Sequence, residues 1–246
     1  MISKEMISKN KERFIEIVRS INRKNADIEG FIDKLNKSDF FYAPASTKYH
    51  NAYEGGLCEH SLEVYDNLKM ISHSLVKGNG DDMYDTDTIK IVGLFHDIYK
   101  MNFYEEYIRN EKVYSENGKK YDEMGKYDWK SVKAYKIREV DDRFIYGSNE
   151  QNADFIVSYF FPLSVEEHAA ILNSSGGQNY NCSNLDVTPI YSKYPLVVLL
   201  HTADLLATYI PTRHKEEEEH IEEEKIECPP EHTSVEKPWV MDSEDM

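Results

Sequence analysis

One short segment restricts this chain more than any other. Residues 195 to 210 are mostly apolar, with Val197-Val198-Leu199-Leu200 and Leu205-Leu206-Ala207, yet Asp204 sits among them, four residues after Leu200 and eight after Leu196. At helical spacing these positions share a face, so a helix here carries a carboxylate into the core with its leucines. Pro195 at the start and Pro211 at the end bracket such a helix. A carboxylate left ionised and alone in that setting is prohibitively costly, so the fold must bring it a partner.

Candidate partners lie on two other predicted helices. His60 falls three residues after Leu57 and four before Val64, and His96 falls four after Val92 with Asp97 beside it. Each of these residues, taken singly, also fits an ordinary core histidine or a capping aspartate. Taken together with Asp204, two neutral imidazoles and two carboxylates would all be satisfied by one shared divalent cation. Such a set leaves room for water in a six-coordinate shell, which suits Mn²⁺, Fe²⁺, Co²⁺ or Mg²⁺ better than a thiolate-rich zinc site.

The rest of the chain reads as mainly helical. Phe14, Ile17, Val18 and Ile21 form one face, and Ile28, Phe31, Ile32 and Leu35 a second, predicting an N-terminal helical pair over 1–37. Residues 38 to 56 lack a sustained period and read as a loop. Helices are expected over 57–76, 87–99, 153–161, 165–172 and 195–210. Residues 109 to 147 instead alternate short Tyr- and Val-containing runs with turn signals at Asn117-Gly118 and Met124-Gly125, which predicts a β-hairpin insertion. Gly176-Gly177 is expected to open a polar loop reaching Pro189. The expected fold class is therefore all-α with a hairpin insertion, its main domain spanning 38–213.

Charge is unevenly spread. The net charge is −16, but the thirteen acidic residues and three lysines from Lys215 to Met246 hold −10 of it, leaving −6 for residues 1–214. The 214–246 segment is expected to be a disordered acidic tail. A mildly acidic body lacks the basic footprint of a duplex-DNA binder. No apolar run approaches the ~20 residues that cross a bilayer. The start of the chain shows no secretory pattern, and the cysteines, Cys58, Cys182 and Cys228, suggest no disulfide framework, so a cytoplasmic location without a membrane is expected. Cys58, two residues before His60, is expected to serve packing.

Three segments together resemble the HD-domain metal-dependent phosphohydrolases, named for a His-Asp doublet: Gly55-Gly56-Leu57-Cys58-Glu59-His60-Ser61-Leu62, Gly93-Leu94-Phe95-His96-Asp97-Ile98-Tyr99-Lys100 and His201-Thr202-Ala203-Asp204-Leu205-Leu206-Ala207. Ala43-Pro44-Ala45-Ser46-Thr47-Lys48-Tyr49-His50, running into the glycine pair, is similar to the HD hydrolases of Gram-positive bacteria and their phages. The likeness covers about residues 40 to 210. It implies that His60, His96, Asp97 and Asp204 are metal ligands, that Asp97 also orients an attacking water, and that Lys100 neutralises charge developing on phosphate. From spacing alone, Lys100 equally fits a lysine that complements a helix C-terminus. Two-metal relatives carry further histidines in segments resembling Gly-His-Gly-Glu and Trp-His-Met-Gly. Here Gly147-Ser148-Asn149-Glu150 and Asn173-Ser174-Ser175-Gly176 place serines there, which implies one ion; His168, six residues before Ser174 on another face, is a poor substitute.

The expected substrate is a nucleotide or other phosphorylated small molecule, cleaved at a phosphate ester or anhydride. Gly55 and Gly56 at a helix start suit a phosphate, and Lys48 and His50 in the preceding loop add donors. Tyr104, Arg109 and Lys112 of the hairpin segment are expected to face the substrate. Eight of the 18 tyrosines lie between 99 and 146 and ten of the 29 basic residues between 100 and 138. This mixture leaves open a 3′-to-5′ exonuclease on short single-stranded nucleic acid, although it also suits a solvated hairpin face. A nucleotide-binding or interaction module without turnover is the remaining alternative.

Overall fold

The computed structural model describes residues 2–75, 82–176 and 187–210. The expected acidic tail, Cys182, Cys228 and most of the polar loop before Pro189 fall outside them. Of the described residues about 53% are helical and 14% lie in a three-stranded antiparallel sheet, so the chain is mixed α/β and the all-α expectation is wrong.

The N-terminal pair is α1 (Lys4–Arg19) and α2 (Ile28–Lys37), capped by Ser3 and Asp27. Then come α3 (Gly56–Ser74) and α4 (Thr86–Phe95), a 3-10 turn at Ile98–Lys100, the sheet, α5 (Asn149–Phe160), α6 (Val165–Leu172), α7 (Thr188–Lys193) and α8 (Pro195–Tyr209). α3 packs on both α4 and α8. His60 and Asp204 lie on α3 and α8, and His96 and Asp97 directly follow α4. α4 is shorter than its apolar run, because the chain leaves helical geometry at Asp97 and tightens into the 3-10 turn. α7 falls partly where a loop was expected.

The sheet is the main departure from the sequence reading. β1 (Tyr104–Tyr114) begins five residues earlier than the predicted insertion, and pairs along its length with β3 (Gly125–Ile137). The short β2 (Lys120–Asp122) pairs with the other edge of β3, giving the order β1-β3-β2. A three-stranded sheet thus stands where the sequence predicts a β-hairpin insertion. Tyr104 and Ala134, at its base, are buried, and most of the remaining sheet residues are exposed.

The core centres on aromatic rings. Phe31 meets Phe95, Phe160 and Phe161 at 4.6, 5.3 and 5.1 Å between ring centres, and Phe14 bridges to Phe40, Phe41 and Phe95. Tilted and edge-on contacts of this kind contribute beyond the area they bury. Phe95 is the last residue of α4, so this packing also anchors the His96-Asp97 doublet that follows.

A buried ion pair ties the helices together. Glu167, on α6, forms a capping box with Ser164 and accepts from Arg23 at 2.7 and 2.9 Å and from Thr88 at 2.8 Å. Burial works against the Glu167 carboxylate, but Arg23, the Ser164 N–H and Thr88 hold its pKa below the ordinary 4.5. Its stabilisation is therefore present above pH 4.5 and lost as pH falls through the lowered folded value. Arg23→Ala strands a buried carboxylate and should reduce unfolding free energy by about 3 kcal/mol at pH 7. The difference from the native protein, measured by urea denaturation, should shrink once the pH drops below 4.5.

Candidate metal centre

His60 lies in the second turn of α3, facing α4 and α8. His96 caps the C-terminus of α4, Asp97 follows it, and Asp204 projects from α8. His60 and His96 are buried, Asp97 is nearly so, and the Asp204 side chain is 24% exposed. One donor atom from each of His60, His96 and Asp97 lies within 4.8 Å of the others, so this buried group can hold a metal ion. Asp204 joins it: its Oδ1 is 3.1 Å from His60 Nε2 and 3.9 Å from His96 Nε2. Asp97 Oδ2 is 3.6 Å from each of those nitrogens.

These separations fit a shared ion. Two donors bound at about 2.1 Å lie about 3.0 Å apart at right angles and about 4.2 Å apart when opposite, and all four measured distances fall between. The imidazoles are also prepared as ligands. His96 Nδ1 is 3.0 Å from Gly93 O, which puts the ring proton on Nδ1 and leaves a lone pair on Nε2. His96 Nε2 and His60 Nδ1 are buried with no hydrogen-bond partner, while His60 Nε2 faces Asp204 Oδ1 at 3.1 Å. Buried polar atoms of this kind cost about 1–3 kcal/mol each unless a ligand or water engages them.

Lys100 completes the cluster. The 3-10 turn swings its ammonium back onto Asp97, with Nζ 2.6 Å from Oδ2. Burial disfavours both charges, yet the Asp97 pKa is held below the carboxylate range by Lys100, His96 and His60, and the Lys100 pKa is held above the lysine range by Asp97. Burial likewise pushes Asp204 up, but His60, His96 and Lys100 pull it net downward. Both carboxylates are thus ionised at neutral pH. A lysine merely complementing a helix end would reach solvent; this one is buried.

The other sequence candidates separate into two groups. Tyr104 is buried near Lys100, with its hydroxyl 3.4 Å from Ala45 O. His50 stacks near His60, 4.8 Å between ring centres. Burial, reinforced by His60 and Lys100, lowers its pKa to about 4. Lys48 is exposed. Arg109 and Lys112 lie five and eight residues along β1 from Tyr104, roughly 17 and 27 Å at strand rise. They pair with Glu111 and Asp122 respectively, so an extended strand carries them away from the base of the sheet.

The glycine pair also differs from expectation as a phosphate cradle. The N–H groups of Gly55, Gly56 and Leu57 already donate to Tyr42 O, Tyr53 O and Ala43 O. Gly55 takes φ +85° as the N-cap of α3, and a Cβ on Gly56 would sit 2.0 Å from Asn51 O. These glycines let the 38–56 loop press against α3. Cys58 packs in the core, its thiol pKa raised by burial.

Ser148 and Ser174 take part in local structural contacts. Ser148 forms a capping box with Gln151, Ser174 O accepts from His201 Nδ1 at 2.8 Å, and His168 pairs with Asp154. Two acids escaped the sequence reading, Glu150 buried and Glu63 half-buried. Glu150 accepts from Ser148 and Ser175 hydroxyls, and Glu63, one turn after His60, is pushed up to about 7 by burial and by Glu59. The signal for Glu63 was its i+3 spacing from His60.

No family model, curated protein or solved structure matches this chain. No described helix is long and apolar enough to cross a membrane.

If the four donors share an ion, Mn²⁺ at 100 times its dissociation constant should stabilise the protein by about 2.7 kcal/mol, which raises Tm by roughly 5–10 °C at this size. His96→Ala should abolish that increment in differential scanning fluorimetry.

Proposed function

We propose that this chain is a metal-dependent phosphohydrolase of the HD type, acting on a nucleotide at a single divalent ion. The observation that carries the reading is the donor set itself: two buried imidazoles whose Nε2 atoms face two ionised carboxylates, all within ligand-sharing distance. A bound divalent ion in such a set supplies Lewis acidity toward a phosphoryl oxygen and lowers the pKa of water.

The chain's own groups then divide the remaining tasks. His60, His96, Asp97 and Asp204 would hold the ion. Asp97 has a second oxygen available to accept a hydrogen bond from water and orient it. Lys100 keeps Asp97 ionised and brings a fixed positive charge within reach of a phosphate oxygen, the preorganised kind of stabilisation that a low-dielectric site makes effective. The α3–α4–α8 packing fixes all of these groups on rigid elements.

The choice of a nucleotide draws on the resemblance noted in the sequence, and the surroundings of Tyr99 are compatible with it. Tyr99 lies between Asp97 and Lys100 in sequence, its ring 5.8 Å from Lys100 Nζ. Tyr99 also walls a cavity of about 470 Å³ with Phe144, Phe155 and Tyr159, where Lys34, Asn102 and Asp142 add polar edges. That cavity is distinct from the donor cluster. Its aromatic walls and polar rim suit a planar, hydrogen-bonding base.

An exonuclease acting on short single strands is the second reading. On one face of the sheet, Lys112 lies over Tyr127 at 4.5 Å and over Trp129 at 5.8 Å, and Lys120 lies over Trp129 at 5.9 Å. Rings and cations arranged this way serve base stacking and backbone contact in single-strand binders.

With Mn²⁺ and a panel of nucleoside mono- and triphosphates, the protein should release phosphate, pyrophosphate or triphosphate. Asp97→Asn should reduce kcat at least 100-fold. A labelled oligonucleotide separates the readings: stepwise shortening favours the exonuclease, an intact strand beside hydrolysed mononucleotide favours the nucleotidase, and no turnover of either refutes both.

A further inference from the structure

The loop before α3 carries a side chain that packing alone does not explain. Both ring nitrogens of His50 are buried and neither has a hydrogen-bond partner. A residue present only to fill space would be better served by an apolar side chain, since each buried unpaired polar group is costly. The ring lies 4.8 Å from that of His60, which in turn lies 5.6 Å from that of His96, so three imidazoles follow one another across the site. The charges that bear on His50 are those of the donor cluster: His60, Lys100, Asp97 and Asp204.

The loop is built to hold that ring in place. Ser46 Oγ donates to His50 O at 2.7 Å and accepts from Tyr49 N–H at 3.0 Å. Ala45 N–H donates to Asn51 O, and Asn51 takes φ +45°. The same Asn51 carbonyl occupies the space left by the missing Gly56 side chain. Tyr53 donates to Glu59 on α3 at 2.6 Å, fastening the far end of the loop. His50 is therefore presented by a pinned segment.

His50 is outside the tight group formed by His60, His96 and Asp97, and its ring is centred 4.8 Å from that of His60, so the geometry places it beside the donor cluster. We propose that His50 binds the phosphoryl group of the substrate, donating a ring N–H to an oxygen of a phosphate seated on the donor cluster. An imidazole has at least one N–H to give in either protonation state. This inference rests on the phosphohydrolase reading and adds to the Lys100 charge a second, neutral contact to the phosphate.

The test compares native protein, His50→Ala and His50→Asn by calorimetry, with Mn²⁺ alone and then inorganic phosphate added to Mn²⁺-loaded protein. Native-like circular dichroism and thermal unfolding establish that each variant is folded. The expected result is Mn²⁺ affinity within threefold of native in both variants, phosphate affinity reduced 10- to 100-fold in His50→Ala, and partial recovery in His50→Asn, which keeps an N–H. With a hydrolysed nucleotide, KM should rise by a similar factor while kcat changes little, as for binding shared by ground and transition states. Unchanged phosphate affinity in His50→Ala overturns the proposal, as does a tenfold loss of Mn²⁺ affinity, which would make His50 a ligand. Native protein that binds Mn²⁺ and phosphate yet turns over no nucleotide would sink the hydrolase reading alone, because the phosphate comparison is made without turnover.

Discussion

Two ionised carboxylates in the interior, Asp97 and Asp204, govern how the helical part of this protein is put together. Lys100 supplies one compensating charge, and His60 and His96 face the carboxylates through their Nε2 atoms. Buried charge in this ratio is weak evidence for stability, because well-packed apolar groups of the same volume generally do as well or better. The α3, α4 and α8 helices are thus arranged around a cluster that costs the fold free energy. Such a cost is reasonable where the same charges perform chemistry.

The aromatic core bears directly on this. Phe95 is locked among Phe14, Phe31 and Phe161, and the next two residues are His96 and Asp97. Because protein interiors are close-packed, a side chain held on several sides restrains the backbone that follows it. The 3-10 turn then places Lys100 three residues beyond Asp97 on the same side, where an extended α4 would have aimed it differently. Donor geometry here comes from core packing and a short change of helical pitch, with little reliance on loops. The 38–56 loop is the exception, and it is tied down by glycine contacts and side-chain hydrogen bonds to α3.

Much of the site was legible in sequence because helix periodicity reports which face of a helix is buried. Leu57, Val64, Leu196 and Leu200 place His60 and Asp204 inward without any knowledge of the partner helices. The sheet was harder to read. Tyr104-Glu105-Glu106-Tyr107 shows no period-2 alternation, and no turn residue marks its start, so the sequence pattern begins β1 five residues late. Arg109 and Lys112 illustrate the consequence: proximity to Asp97 in sequence becomes tens of ångströms along an extended strand, whereas the same count along a helix would have kept them close. The 38–56 loop has no period to read at all. Its geometry depends on contacts such as Gly56 with Asn51 O and Tyr53 with Glu59, which only the folded chain assembles.

Charge balance at the cluster narrows what the proposed reaction can accept. With a divalent ion in place, Asp97 and Asp204 offset its charge and Lys100 leaves an excess of +1, since the imidazoles add none. A phosphoryl group carrying one or two negative charges relieves that excess, and a neutral ester gains nothing from it. Burial amplifies the difference, because the low dielectric that makes an unpaired charge expensive also strengthens its attraction to a matching one. The three neighbouring imidazoles then matter for what they lack. A further cation in the position of His50 would overcharge the site and compete with the ion for Asp97 and Asp204, whereas a ring with an N–H to donate can hold phosphate without disturbing the ligands.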